Sequence, residues 1–551
     1  MNVENLAELH RRQARRYGPR TALRYKAHGL YHDVSWDRYL ADAHACAAAL
    51  LAHGVRPGDR VGLLAENRLE WLLADMGILA AGAVNVPAHP TLSARQLAEQ
   101  FAHAEISWLF VAGTALYAKV RDLPRQVAGL HGVVLFDRVP GADVPTWPAF
   151  LLEGRRALAR LGGELDQRIT RLGRDDLATL MYTSGTTGNS KGVMLTHGNL
   201  LSNALSMVTG AGVSDDAIVL SWLPYSHIYG RLVDHYLTLA AGATLCLAER
   251  QETLLENLQE IRPTNFSAVP RFYEKVLAAV SAAGPAEARQ RLRQLFGPRI
   301  EWLNSGGAPL PLHVAQAYTD AGLVLLQGYG LTETSPVITF NRKDANRLGT
   351  VGQPVPGVEV RIAPDGEILT RGPHVMKGYW KDPQATAETI RDGWLHTGDL
   401  GHLDADGYLT ITGRKKDLLV LSNGKKVVPA QLEGLLAADE CIDQALVYGE
   451  GRSYLTALIV PRFDALRAAA RARGIDEPDD ARLVQHPDVQ ALMLARVQAA
   501  LADLASHEQV QRIVLLPRPF TQEADEMTVS LKLRRGVIFQ KYAPLLEALY
   551  A

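Results

Sequence analysis

Cysteine is nearly missing from this chain. Cys46, Cys246 and Cys441 are the three in 551 residues, far apart and with no CxxC pair. Neither a disulfide framework nor a thiolate zinc site is indicated. Charge of one sign is also lacking: the net charge is −1 and no long run of like charges occurs. That leaves no basic patch for nucleic acid and no acidic tail. No apolar run reaches the ~18 residues of a membrane span. The most apolar stretch, Trp71 to Ala88, is broken by Asp75, Asn85 and Pro87. The first residues, MNVENLAELHRRQARRYG, carry charges throughout and lack the apolar centre of a signal peptide. A reduced, soluble, cytoplasmic protein that binds no nucleic acid is the expectation.

What is present is an ordinary globular composition, 47% hydrophobic, long enough for several folded units. Apolar runs at Arg60–Ala65, Ala83–Val86, Trp108–Val111, Val133–Phe136, Ala217–Trp222, Ala243–Leu247, Ile300–Leu303 and Leu323–Leu326 read as buried strands. Helical patterns separate many of them, one expected to start on an Asn67 cap and run to about Gly82. Strands alternating with helices imply parallel sheets covered on both faces, with sites at the loops beyond the strand ends. From Val358 the texture changes to short strands and turn signals, Pro364-Asp-Gly366, Asp406-Gly407 and Asn423-Gly424. Strand-like Gln444–Val447, Leu455–Val460 and Arg512–Leu515 follow, with helical patterns. The expected fold is α/β: a large N-terminal domain of mostly parallel sheets flanked by helices, residues 1–415, and a small α+β C-terminal domain, residues 416–551.

Residues 182–192 read YTSGTTGNSKG, between a predicted strand Leu177–Tyr182 and a predicted strand Val193–Leu195, with a helix expected from Thr196. Glycines let a backbone turn successive N–H groups inward, hydroxyls add donors, and Lys191 adds a point charge. That chemistry suits a polyphosphate. The Walker pattern is absent, because only three residues separate Gly188 from Gly192 and Lys191 follows Ser190.

YTSGTTGNSKGVMLTH resembles the phosphate loop of the adenylate-forming superfamily. LPYSHIYG (223–230), SGGAP (305–309), YGLTE (329–333), TGD (397–399), GRKKD (413–417) and Leu531-Lys532 follow in that family's order, over nearly the whole chain. Val269-Pro-Arg-Phe-Tyr-Glu-Lys275 and the ending Met527–Arg535 look most like the long-chain fatty acyl-CoA synthetases. The resemblance implies activation of a medium- to long-chain fatty acid by ATP to acyl-AMP and then acyl-CoA, with Mg²⁺ as cofactor. It implies that Thr183, Ser184, Gly185, Thr186, Thr187, Gly188 and Lys191 hold the outer phosphates, that Glu333 binds the metal and that Thr332 contacts the α-phosphate. Gly307, Ala308, Pro309 and Tyr329 would flank adenine, Asp399 and Arg414 would take the ribose, and Lys532 would stabilise the transition state. His227 would lie near the acyl carbonyl. Lys416 would be the hinge of a mobile C-terminal domain, and Ser422–Lys425 would border the thiol tunnel, with Lys425 and Lys426 near the CoA phosphates. Two departures stand out. Ser190 replaces a common proline and is expected to loosen the loop, and Leu531 replaces a glycine before the terminal lysine.

Other readings are weaker. Asp404-Ala-Asp-Gly407 resembles the start of a calcium loop, but Lys415 stands where the closing glutamate belongs. Ser422-x-x-Lys425 fits SxxK without its partner motifs. A dead nucleotide sensor is disfavoured because Lys191, Glu333 and Lys532 are all present. An acyl-AMP ligase serving an acyl carrier protein, a short-chain or aryl-CoA ligase, a homodimer and loose membrane association stay open. Ala240-Ala-Gly-Ala243 fits either room for an acyl tail or close helix packing.

Overall fold

The computed structural model describes residues 3–183, 190–281, 284–521, 523–527 and 533–550. They form two compact units: Met1–Arg361 with Leu369–His396 and Ala405–Leu409, and Ile362–Ile368 with Thr397–Asp404 and Thr410–Ala551.

The first unit is α/β, and two of its sheets position the site. One orders its strands as Gly378–Tyr379, Lys191–Thr196, Leu177–Thr183, Val84–Ala88, Arg60–Leu64, Ile106–Val111 and Gly132–Leu135. The inner pairings are parallel, as expected for strands covered on both faces, while Leu177–Thr183 and Lys191–Thr196 close as an antiparallel hairpin. The other sheet runs through Val337–Phe340, Leu325–Gly330, Trp302–Ser305, Asn265–Ala268, Ile218–Ser221 and Thr244–Leu247. It is extended by the N-terminal hairpin Thr21–Ala27 and Leu30–Ser35, which the sequence reading missed. The second unit builds a smaller sheet from Ile442–Tyr448, Leu455–Pro461 and Val510–Leu515, antiparallel in its first pairing and parallel in its second.

Local signals explain the element boundaries. Thr196 caps the helix His197–Ala211 reciprocally with Asn199. Gly366, Gly407 and Gly424 all adopt positive φ at the expected turns. One cap was misassigned. The helix Leu69–Ala80 starts after Arg68, and Asn67 does not cap it. The Asn67 amide instead donates to the Leu223 carbonyl at 2.7 Å and accepts from the Tyr225 N–H at 3.0 Å, bracing LPYSHIYG. Gly242 ends a helix at φ +77°, where a Cβ would fall 2.1 Å from the Tyr17 ring. Of the two readings of Ala240–Ala243, close packing is the one this contact supports. The three cysteines are buried and free. Among the described residues no helix is long and apolar enough to cross a membrane.

A buried polar network lies inside the first unit. Asp75 and Arg231 are both 0% exposed and form an ion pair. Arg231 also donates to the Tyr236 hydroxyl at 2.9 Å and the Thr179 hydroxyl at 2.8 Å, and Asn85 donates to Asp75 at 2.7 Å. His235 adjoins it, with Nδ1 3.5 Å from Asp75 Oδ2, and its Nε2 lies 2.7 Å from the Tyr39 hydroxyl.

Burial holds several histidines below their ordinary pKa of 6.5: His44, His197, His235 and His374 at about 4, and His10 well below 6.5. Their folded values are lower than their unfolded ones, so the unfolded state binds more protons as pH falls. The stability they contribute is complete above about 6.5 and is lost toward about 4. Asp234 opposes them, because burial lifts its carboxyl to about 7 even with a hydrogen bond from Ser221, so acid favours its folded form. Burial also raises the Glu433 carboxyl, which acts in the same sense, and two such groups do not balance five histidines. Thermal unfolding is therefore expected to shift to lower temperature as pH drops from about 6.5 to about 4. A flat profile across that interval would contradict it.

Candidate active site

The hairpin Leu177–Thr183 and Lys191–Thr196 ends where Thr183 pairs with Lys191, the two residues that the glycine- and hydroxyl-rich stretch joins in sequence. Ser184, Gly185, Thr186, Thr187 and Gly188 lie outside the described residues. The Ser190 hydroxyl donates to the Thr183 carbonyl at 3.0 Å. Serine here adds a cross-hairpin tie, and the loop it is expected to loosen lies outside the described residues.

The short strand Gly378–Tyr379 pairs with the second arm of that hairpin, setting Tyr379 opposite Val193. This fixes a cluster that sequence reasoning did not find. The Tyr379 hydroxyl donates to Glu333 Oε1 at 2.8 Å. The Lys191 ammonium sits 4.8 Å from the centroid of the Tyr379 ring. Burial, then the Glu333 carboxylate, pushes the tyrosine hydroxyl's pKa up, so it remains a donor. Nothing in Lys377-Gly-Tyr-Trp380 advertises chemistry; only the strand pairing brings Tyr379 between two candidate residues.

Thr332 and Glu333 occupy a single 3₁₀ turn, both half-buried, directly after the strand Leu325–Gly330 that carries Tyr329. The turn is locked from behind. Leu331 N–H donates to the Thr334 hydroxyl at 2.9 Å, and that hydroxyl donates to the Pro336 carbonyl at 2.6 Å. The Met376 N–H bonds the Glu333 carbonyl at 2.9 Å. Glycine is required at Gly330, since a Cβ would stand 1.6 Å from the Pro336 carbonyl oxygen.

Gly307, Ala308 and Pro309 follow the strand Trp302–Ser305, with Gly307 and Pro309 exposed. His227 is half-buried, and its Nδ1 accepts from the Tyr229 N–H at 3.2 Å. It precedes a π-helical segment, Gly230–Tyr236, that supplies Arg231 and Asp234 to the interior.

In the second unit Arg414 donates through Nε to Asp399. The Asp399 turn is held by Gly398 N–H to Glu367 Oε1 at 3.0 Å and by the Thr397 hydroxyl to the Ile368 carbonyl at 2.7 Å. Lys416 is exposed in the 3₁₀ turn Lys415–Asp417. Lys532 lies outside the described residues.

The donor set bears on a metal. Among the described residues no cluster of three or more His, Cys, Asp or Glu could hold an ion alone. Mg²⁺ suits a different arrangement, one or two carboxylates completed by phosphate oxygens and waters. Glu333 fits it: Tyr379 takes one oxygen, and an ionised carboxylate keeps further acceptor capacity.

Two units of this build, with Lys191 and Glu333 gathered about Tyr379 at the end of a hairpin, define an adenylate-forming enzyme. The chain belongs to the AMP-binding enzyme family, which matches residues 10–380, and the AMP-binding enzyme C-terminal domain matches residues 416–551. The long-chain-fatty-acid–CoA ligase FadD15 of Mycobacterium bovis is 34% identical, covering 95% of this chain and 93% of that protein. The peroxisomal long chain acyl-CoA synthetase 6 of Arabidopsis thaliana is 30% identical, covering 96% of this chain and 83% of that protein. The crystal structure of ATP-bound MatB from Rhodopseudomonas palustris is 26% identical with a TM-score of 0.77, covering 98% of this chain and 99% of that one.

Proposed function

We propose that this protein is an AMP-forming acid–thiol ligase that converts a medium- to long-chain fatty acid to acyl-CoA. The observation that carries the reading is the near full-length likeness to FadD15 of Mycobacterium bovis, at 34% identity. The Lys191–Tyr379–Glu333 cluster supports it from the geometry.

The chemistry follows from leaving groups. Hydroxide leaves a carboxylic acid badly. Attack of the carboxylate oxygen on the α-phosphorus of ATP forms the acyl-AMP bond and releases pyrophosphate. The CoA thiolate then attacks the carbonyl, and AMP leaves with the bonding electron pair. The first step brings two anions together, so fixed positive charge dominates its catalysis. In this reading Lys191 and the loop hydroxyls bind the outer phosphates, Thr332 the α-phosphate, and Lys532 charge that develops in the transition state. Gly307, Ala308, Pro309 and Tyr329 flank adenine, Asp399 and Arg414 bind the ribose, and His227 borders the acyl carbonyl. A Mg²⁺ ion held by Glu333 would neutralise phosphate charge. The functional boundary falls at Lys416, with residues 416–551 moving between the half-reactions as a gating motion.

Tyr379 then orients the metal carboxylate. A hydrogen bond to a charged group is worth ~1.5–3 kcal/mol, so Tyr379→Phe is expected to raise the Mg²⁺ concentration for half-maximal acyl-AMP formation by roughly tenfold. Unchanged Mg²⁺ dependence in a titration would remove Tyr379 from that role.

A carboxylate panel from acetate through benzoate to oleate, with ATP and Mg²⁺ and with or without CoA, tests the function by mass spectrometry of AMP and thioester. Turnover that rises with tail length and needs CoA is expected. Acyl-AMP that accumulates despite CoA would make a carrier protein the acceptor. Silence across the panel would overturn the reading.

A further inference from the structure

One buried carboxylate in the second unit holds the chain on both sides of the candidate ribose site. Glu367 is 5% exposed and follows the turn Pro364-Asp-Gly366, where Gly366 takes φ +86°. Its backbone is pinned at that turn. The Glu367 carbonyl accepts from the Ala363 N–H at 2.8 Å, and the Gly366 carbonyl accepts from the Gly401 N–H at 3.0 Å. The side chain then works in two directions. Oε1 accepts from the Gly398 N–H at 3.0 Å, and Oε2 accepts from Lys415 Nζ at 3.1 Å. Gly398 directly precedes Asp399, and Lys415 directly follows Arg414. Arg414 Nε donates to Asp399. Glu367, Gly398–Asp399 and Arg414–Lys415 therefore close a ring, part covalent and part hydrogen-bonded.

Each arm of the ring is braced. Gly398 sits at φ +71°, a conformation that favours glycine, and this aims its N–H. The Asp399 N–H donates to the buried Thr397 hydroxyl at 3.1 Å. Lys415 also reaches Asp365 Oδ2 at 2.6 Å. The carboxylates of Asp365 and Glu367 hold the Lys415 ammonium above its ordinary pKa of 10.5, so it keeps its charge. Glu367 is the member that belongs to both arms.

We propose that Glu367 is a positioning residue for ribose recognition: its two oxygens tie the turn before Asp399 to the lysine after Arg414, and so set the Asp399 carboxylate for the hydroxyls of the nucleotide sugar. The inference rests on the assignment of Asp399 to the ribose. The physical reason is geometric. A carboxylate meets both hydroxyls of a ribose only if its backbone origin is held. A site built to bond a hydroxyl rejects the analogue that lacks it, and it loses that discrimination when the acceptor is displaced. A residue that serves folding alone would weaken every nucleotide alike. The preference for ATP over 2′-deoxy-ATP is therefore the informative quantity.

The test measures binding of each nucleotide, with Mg²⁺, to the full-length protein by isothermal titration calorimetry. No acid or CoA is added, so the result does not depend on the acyl substrate. Glu367→Gln keeps the shape but presents one oxygen and one NH₂ group where two acceptors stood. It is expected to raise the Kd for ATP by about tenfold, as for one lost hydrogen bond to a charged group, and that for 2′-deoxy-ATP by less than about threefold. Lys415→Met, at an exposed position, removes the Oε2 tie and should lower the preference in the same sense by less. Lys415→Arg keeps a cation there and should retain the preference. Equal rises for both nucleotides in Glu367→Gln would reduce Glu367 to a folding role and overturn the proposal, as would an unchanged preference. Asp399→Ala, run beside them, separates the two claims. If the preference survives that change, the assignment of Asp399 fails and the proposal with it. If the preference is lost there and kept in Glu367→Gln, the positioning role fails alone.

Discussion

Arg231→Met is expected to destabilise the first unit by ~3–5 kcal/mol, because removing one partner of a buried ion pair strands the other charge in a low-dielectric interior. Arg231 and Asp75 are 156 positions apart in sequence and both are 0% exposed. Asn85 and the Tyr236 hydroxyl would still donate to Asp75, at 2.7 and 2.9 Å, but no positive charge would face it. Thr179 would lose the guanidinium donor at 2.8 Å, and Thr179 lies on the strand Leu177–Thr183 that pairs with Lys191–Thr196. The paired variant Arg231→Met with Asp75→Leu is expected to regain much of the loss, since apolar groups of similar volume replace a buried ion pair at little cost. Urea unfolding followed by tryptophan fluorescence, run as a double-mutant cycle, measures both. A single-variant loss below ~1 kcal/mol, the range of exposed pairs, would mean that water or neighbouring groups already compensate Asp75.

That network also shows what was legible in the sequence and what was not. Asp75 and Asn85 appear in the sequence as interruptions of the apolar stretch Trp71–Ala88, which excluded a membrane span. Their partner could not be read there, because Arg231 lies in a segment whose π-helical geometry has no composition signal. Strand cores were legible because continuous apolar runs mark strands buried on both faces. The N-terminal hairpin was not, since Leu30–Ser35 is an edge strand in which only Val34 is buried and no continuous apolar run occurs. The helix start at Thr196 was legible because helix-start signals are local. Asn67 was not, because its partners, Leu223 and Tyr225, are distant in sequence and a side-chain amide serves a loop as readily as a helix end.

The candidate site divides in the same way. Glu333, Lys191 and Asp399 carry charge inside short motifs, so they announce themselves. Tyr379 touches both Lys191 and Glu333, and that placement is fixed only by strand pairing. Ser190 is the instructive case. Its hydroxyl makes a tie to Thr183 that a proline could not make, a contact that the sequence pattern alone did not show.

Lys532→Ala is expected to slow acyl-AMP formation by ~10²–10³-fold, equivalent to ~2.7–4 kcal/mol of transition-state stabilisation, the range for losing one preorganised donor. The sign and the selectivity follow from where the charge appears. The fatty carboxylate and the α-phosphate repel each other most at the moment of bond formation, and an ammonium placed for that moment contributes little to the ground state. The KM for ATP should therefore change far less than kcat, because the loop around Lys191 and the Asp399–Arg414 pair still bind the nucleotide in this reading. Lys532→Arg is not expected to rescue, since a planar guanidinium is wider and rigid where a compact ammonium is needed. Supplied acyl-AMP should still pass to CoA at close to the wild-type rate. A variant that lost both halves equally would put Lys532 in folding or in nucleotide binding, and one that raised the KM for ATP with kcat intact would make it a phosphate ligand of the ground state.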